Sequence, residues 1–202
     1  MFCGIIRSVM LQQPIEDTHE KILATTTHLV AVYGCAGVSM RLVGKHVPIA
    51  QSVIYHYYAD KDSLLKAMYD RANRMLGQNR QALPQPKSAT KRLENIIRFQ
   101  IEHAELVVAV LKYYLQYRED FAKQESGTLP EKAILHVEEV LEYGHQTGEW
   151  VITDLPTQSK ILAHAINGYL LEYYPHMPTG KSARTLVNAL VEFTKSALTP
   201  RS

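Results

Sequence analysis

Apolar positions recur at helical spacing through most of the chain, a pattern that predicts an all-α protein. Ile22, Leu23, Thr26, Leu29, Val30 and Tyr33 fall at i, i+1, i+4, i+7, i+8 and i+11, one face of a helix that stops at Gly34. Ser39 is the residue type that caps a short helix, here running to about Val47. Pro48 ends it, because proline disfavours the helical conformation in the residue before it. A third short helix is expected from about Ala50 to Tyr57. Asp60 then caps a long one carrying Leu64, Leu65, Met68, Ala72, Met75 and Leu76.

The stretch "LPQPKS" at 83–88, with two prolines in four residues, is the clearest break in the chain. Beyond it the periodicity gives helices at about 88–104, 105–122, 129–147, 156–174 and 181–198. That makes about nine helices. The only strand-like segment, "EWVIT", is short and isolated. Residues 1–14 read as a flexible tail, with Met1 or Met10 as the natural start. Residues 15–60 read as a compact three-helix unit, and 61–202 as a helical bundle.

Composition narrows the class. With 46% apolar and 21% charged residues, the chain is an ordinary folded globule. Two cysteines, Cys3 and Cys35, cannot build a disulfide framework or a zinc site alone, so a reducing cytoplasm is expected. No apolar run approaches the roughly 18 residues that a membrane span needs. The net charge of +2 is small, but residues 1–80 hold nine Lys/Arg against six Asp/Glu, and residues 81–202 hold thirteen against fourteen. The basic end permits a phosphate-facing surface without requiring one.

That end also holds the most unusual stretch, "VIYHYYADKDSLL", residues 53–65. Tyrosine and histidine combine a flat apolar body with a hydrogen-bonding tip, which suits a surface that grips something polar. Two short helices behind a longer one fit a DNA-binding helix-turn-helix, whose second helix enters the major groove. Gln51 and Ser52 would then lie at base edges, with Gln51 suited to adenine. Tyr55, His56 and Tyr57 would reach the groove walls, where phosphate contacts set register. Lys61, opening the next helix, adds a cation, and Ser39 opens the first short helix in a similar way.

Residues 20–65 resemble the DNA-binding domain of the TetR family of transcriptional regulators. The resemblance runs through "KILATTTHLVAVYG" and "VSMRLVGKHVPIAQSVIYHYYADKDSLL", with Ile54, Tyr55, Tyr57, Tyr58, Lys61, Asp62 and Leu64 at matching positions. Arg41 stands where some members place a DNA-contacting residue, and the position of Tyr58 is a core position. "GHQTGEW" before "DLP" is similar to a family turn. Pro48 departs from the pattern by replacing the turn glycine, so the turn must be built differently. Gly44 replaces a helix alanine at a cost of about 1 kcal/mol. Thr25 and Thr26 replace an alanine pair.

The resemblance implies a ligand-responsive repressor that binds a near-palindromic operator as a homodimer through its last two long helices. It places a small-molecule effector in the bundle. Tyr113 and Tyr117 on one helix, with His103 and Trp150, suggest a mostly apolar or aromatic effector. Aromatic residues at helical spacing are also what an ordinary core uses. An effector-independent DNA-binding protein of the same fold, such as a nucleoid or division-associated factor, is the alternative. An enzyme is not expected. Glu16-x-x-His19 and Glu142-x-x-His145 have the spacing of di-iron four-helix proteins but lack the inward-facing helical setting that chemistry needs. No Gly-rich phosphate loop or nucleophile elbow occurs, and no cofactor or metal is expected.

Overall fold

Local chemistry sets most of the helix ends. The computed structural model describes residues 15–123 and 129–198, which form ten helices and no strand. The expected tail at 1–14, and with it the choice between Met1 and Met10, lies outside the described residues. Helix α1 spans Ile15–Gly37 but breaks at Gly34, whose φ of 73° and ψ of 168° are open to glycine and costly for any residue with a Cβ. Thr26 and Thr27 are buried on its core face. Each hydroxyl donates back to the carbonyl four residues earlier, Ile22 and Leu23, at 2.7 and 2.8 Å, so neither is left unpaired.

Ser39 Oγ accepts the Leu42 N–H at 3.1 Å and opens α2, Met40–His46. The helix ends as expected ahead of Pro48, with Val47 extended at φ −90° and ψ 115°. The Ile49 N–H then donates to the Val47 carbonyl at 2.6 Å, closing a three-residue turn around the proline. A compact turn thus forms without glycine. Helix α3, Gln51–Tyr57, follows, and Asp60 with Ser63 forms a reciprocal capping box at the start of α4, Lys61–Gln81.

The remaining helices are α5 (Ala89–Glu102), α6 (Ala104–Gln116), α7 (Arg118–Phe121), α8 (Leu129–Gln146), α9 (Leu155–Tyr173) and α10 (Gly180–Leu198). The expected single helix over 105–122 is divided at Tyr117, where φ −111° and ψ 19° leave the helical basin. This accounts for ten helices instead of nine. No proline or glycine marks the division.

Helix α1 packs on α2, α4 and α6, and α4 packs on both α1 and α6. In the bundle α5 lies against α8 and α10, while α9 lies against α6 and α8. Arg71 of α4 is buried and pairs with Glu20 of α1, adding a charged tie between the two helices. Glu149 bridges to the start of α5, accepting from the Ala89 and Thr90 N–H groups and from the Ser88 and Thr90 hydroxyls. No described helix is long and apolar enough to cross a membrane.

Candidate nucleic-acid interface

Burial divides the short helices into two faces. Met40, Val43 and Val47 of the α2 segment and Ile54 of α3 turn into the core, and Tyr58 just beyond α3 joins them. Gln51, Ser52, Tyr55 and His56 are left exposed on one face of α3. Tyr55 is 50% exposed, a large aromatic with no core to enter. Tyr58 is in the core as the sequence implies. Its hydroxyl meets His19 Nε2 at 2.8 Å, and burial, followed by the nearby Glu20 charge, pushes it up to about 12.

Five of the eight candidate residues converge. Ser39, Arg41, Gln51, Tyr55 and Lys61 line one shallow concavity of about 360 Å³, together with Met40, Ala59 and Asp60. Asp60 places a carboxylate there. The Ser63 N–H donates to that carboxylate at 2.7 Å and, with the Ser63 hydroxyl close by, holds it below its ordinary range. Arg41 is exposed, and no described carboxylate lies within ion-pair distance of it.

Ser52 and His56 sit on the same exposed face of α3 outside the concavity. Tyr57 is different. It is half-buried, packs against the core, and its ring lies 5.6 Å from that of His19 and 6.4 Å from that of Tyr58. It faces α1 more than open solvent. Lys61 is half-buried, with Nζ donating to the Ala36 carbonyl at 3.3 Å. An ammonium has three donors, so two remain for an outside anion. A cation, a guanidinium, an amide and a phenol around one concavity can grip phosphate oxygens and read a base edge.

The four residues expected at an effector site are not all brought together. Trp150 is buried against Gly144 of α8 and sits beside Glu149, which binds the N-terminus of α5. His103 caps the opposite end of that helix, and fourteen residues at 1.5 Å each put the two ends about 20 Å apart. Tyr113 is buried, with its ring 4.5 Å from Tyr69, 4.6 Å from Tyr117 and 6.1 Å from Phe121. The space beside it is filled by rings. Long-range packing, which residue spacing does not encode, keeps Trp150 and His103 apart, while Tyr113 and Tyr117 stay in ring contact.

Sequence reasoning missed one feature. Arg80, on the last turn of α4, lies 5.9 Å over the Phe99 ring, on which His103 also stacks. Burial draws that guanidinium below its ordinary range, and no described carboxylate lies within ion-pair distance of it. On the last two long helices, where the sequence resemblance places a dimer contact, an apolar groove of about 240 Å³ runs against α8, and its lining includes Leu141, Ile161, Ala165 and Phe193. Ile161 is 63% exposed and Phe193 65%.

The histidines of the two Glu-x-x-His pairs are engaged elsewhere. His19 is engaged by Tyr58, His145 Nδ1 accepts the Ile152 N–H at 3.2 Å, and the Glu16 side chain lies outside the described residues. No group of three His, Cys, Asp or Glu among the described residues could hold a metal ion.

Residues 22–68 match the family model described as bacterial regulatory proteins, tetR family. No curated protein matches the chain. Among solved structures, the ketosteroid transcriptional regulator KstR2 of Mycobacterium tuberculosis superposes with a TM-score of 0.66 at 14% identity, over 93% of this chain and 98% of that one. The TetR family transcriptional regulator PfmR from Thermus thermophilus gives 0.64 at 15%, over 87% and 97%. A bacterial regulatory protein in the tetR family from Rhodococcus RHA1 gives 0.63 at 15%, over 92% and 98%. At these identities the structures establish a shared fold over nearly the whole chain.

Proposed function

We propose that this protein, whose residues 22–68 match the tetR-family model, is a ligand-responsive transcriptional repressor. It binds a near-palindromic operator as a homodimer and is released by a small molecule. The observation that carries the reading is the concavity where Arg41, Gln51, Tyr55 and Lys61 meet. A single recognition helix reads too few base pairs for operator specificity, so two must be held about 34–36 Å apart, one helical turn.

The groove holding Ile161 and Phe193 supports the dimer. An apolar strip along α9 and α10 is poorly placed facing water and well placed against its own copy. For the effector, a mostly apolar body with one polar end suits the bundle. Arg80, Phe99 and His103 offer that end a cation beside aromatic rings. KstR2, the ketosteroid regulator of similar fold, is consistent with an apolar ligand for such a bundle. The packed rings around Tyr113 favour instead the effector-independent reading for that part of the bundle.

Selection of bound duplexes from a randomised pool, with the mass measured by light scattering, tests the reading. Enriched inverted half-sites bound by a dimer are expected. A monomer, or a pool that shows no enrichment, contradicts it. Ile161→Glu and Phe193→Glu should each shift the mass toward monomer and weaken DNA binding with it.

A further inference from the structure

The end of α1 is gripped from two sides by lysines of different helices. Lys112 of α6 reaches across and donates from Nζ to the Ala31 carbonyl at 2.7 Å and the Val32 carbonyl at 3.3 Å. A cation at carbonyls near a helix end is favourably placed. Two residues further on, Gly34 breaks the helix. Beyond the break, the Ala36 carbonyl accepts from Lys61 Nζ at 3.3 Å. Cys35 is buried between these contacts. Burial pushes its thiol up to about 11, while the nearby Lys61 and Lys112 charges pull the other way.

Lys61 has four side-chain torsions, and a free ammonium at a DNA surface loses rotamer freedom when it binds a phosphate. Tethering one of its donors to Ala36 removes part of that cost in advance and aims the other two. The tether works only if the segment after Gly34 is itself held. Glycine at the break supplies no rigidity. Helix α6 supplies it, through Lys112 and, on the same face seven residues earlier, through Glu105, which accepts from His28 of α1 at 2.9 Å.

We propose that Lys112 is a positioning residue for DNA binding. It fixes the end of α1, and with it the Ala36 carbonyl that aims Lys61 at a phosphate. The proposal rests on the DNA-binding reading above. It gives the bundle a route to the DNA surface, since a displacement of α6 withdraws Lys112 from α1 and loosens the Lys61 tether.

A double-mutant cycle on the full chain tests it, with a mixed-sequence duplex at low salt as probe. Lys61→Met should weaken binding and reduce the salt slope by about 0.9 for each phosphate that is no longer neutralised. Lys112→Met, which keeps the aliphatic stem, should weaken binding several-fold with Lys61 present and have little further effect in Lys61→Met. Lys112→Arg should restore most of the loss. Helicity measured in parallel confirms folding, and Lys112→Gln replaces the methionine variant in the cycle if that variant does not fold. Equal losses in both backgrounds, or an unchanged affinity, overturn the positioning role while leaving the DNA-binding reading intact. A wild-type chain that binds no duplex at low salt removes the reading itself.

Discussion

The Tyr117 hydroxyl donates to Asp62 Oδ1 at 2.9 Å, joining the end of α6 to the first turn of α4. Burial first, and then this bond, push the phenol above its ordinary range, so it stays a donor throughout the physiological pH range. Asp62 is the neighbour of Lys61, the candidate phosphate contact. The ring of the same tyrosine lies 4.6 Å from that of Tyr113 in the bundle. One side chain therefore touches both the packed interior and the edge of the DNA-facing surface.

Tyr117→Phe keeps the ring and removes the bond. Its cost in stability should be about 0.5–1.5 kcal/mol, the range for one hydrogen bond, and toward the low end because the pair is solvent-accessible. Amide exchange in the first turn of α4 should speed up while α2 and α3 keep their protection. Unchanged exchange at Ser63 and Leu64 would show that the bond does not hold α4.

Gly144 lies inside α8 where the Trp150 ring packs on its backbone, and a Cβ at that position would overlap the ring. The Trp150 N–H also donates to the Gly144 carbonyl at 3.1 Å. Gly144→Ala should destabilise by about 1–3 kcal/mol despite the better helix propensity of alanine, because the overlap outweighs the propensity gain. A denaturation midpoint equal to or above the wild type would contradict the packing.

These residues show what the sequence could and could not convey. The breaks at Gly34 and Pro48, the caps at Ser39 and Asp60 and the exposed face of α3 were legible, because each depends on chemistry within four residues. The concavity followed from them. The packing role of Gly144 was not legible, since its partner is a ring brought in by the next turn. The Glu149 contacts with Ser88, Ala89 and Thr90 span some 60 positions, and no local pattern signals them. The spread of the four effector candidates has the same origin. His103 and Trp150 belong to opposite ends of α5, and the tyrosines pack on α4.

Glu149 makes a pH dependence. Its burial would raise the carboxyl, but the Thr90 and Ala89 N–H groups, helped by the Thr90 and Ser88 hydroxyls, outweigh that and hold it below the ordinary 4.5. A folded-state value below the unfolded one stabilises the fold above about pH 4.5, and the contribution is lost as pH falls through the folded value. Glu149→Gln should therefore be less stable than wild type at neutral pH, and the gap should close on acidification. A gap independent of pH between 3 and 7, on the order of the ionisation window, would assign the loss to packing instead.

The proposed DNA face is the one built by Arg41, Gln51, Tyr55 and Lys61, which would hold a duplex through its phosphates and read its bases. Titration of a labelled duplex from the region upstream of the gene, followed by anisotropy across a salt series and repeated with a scrambled duplex, tests it most directly. Tighter binding to the upstream duplex is expected, with a linear fall of log affinity with log salt of about 0.9 for each phosphate contacted. Gln51→Ala should narrow the gap between the two duplexes by about 1–3 kcal/mol. Equal affinity for both duplexes, or binding that does not respond to salt, would contradict it.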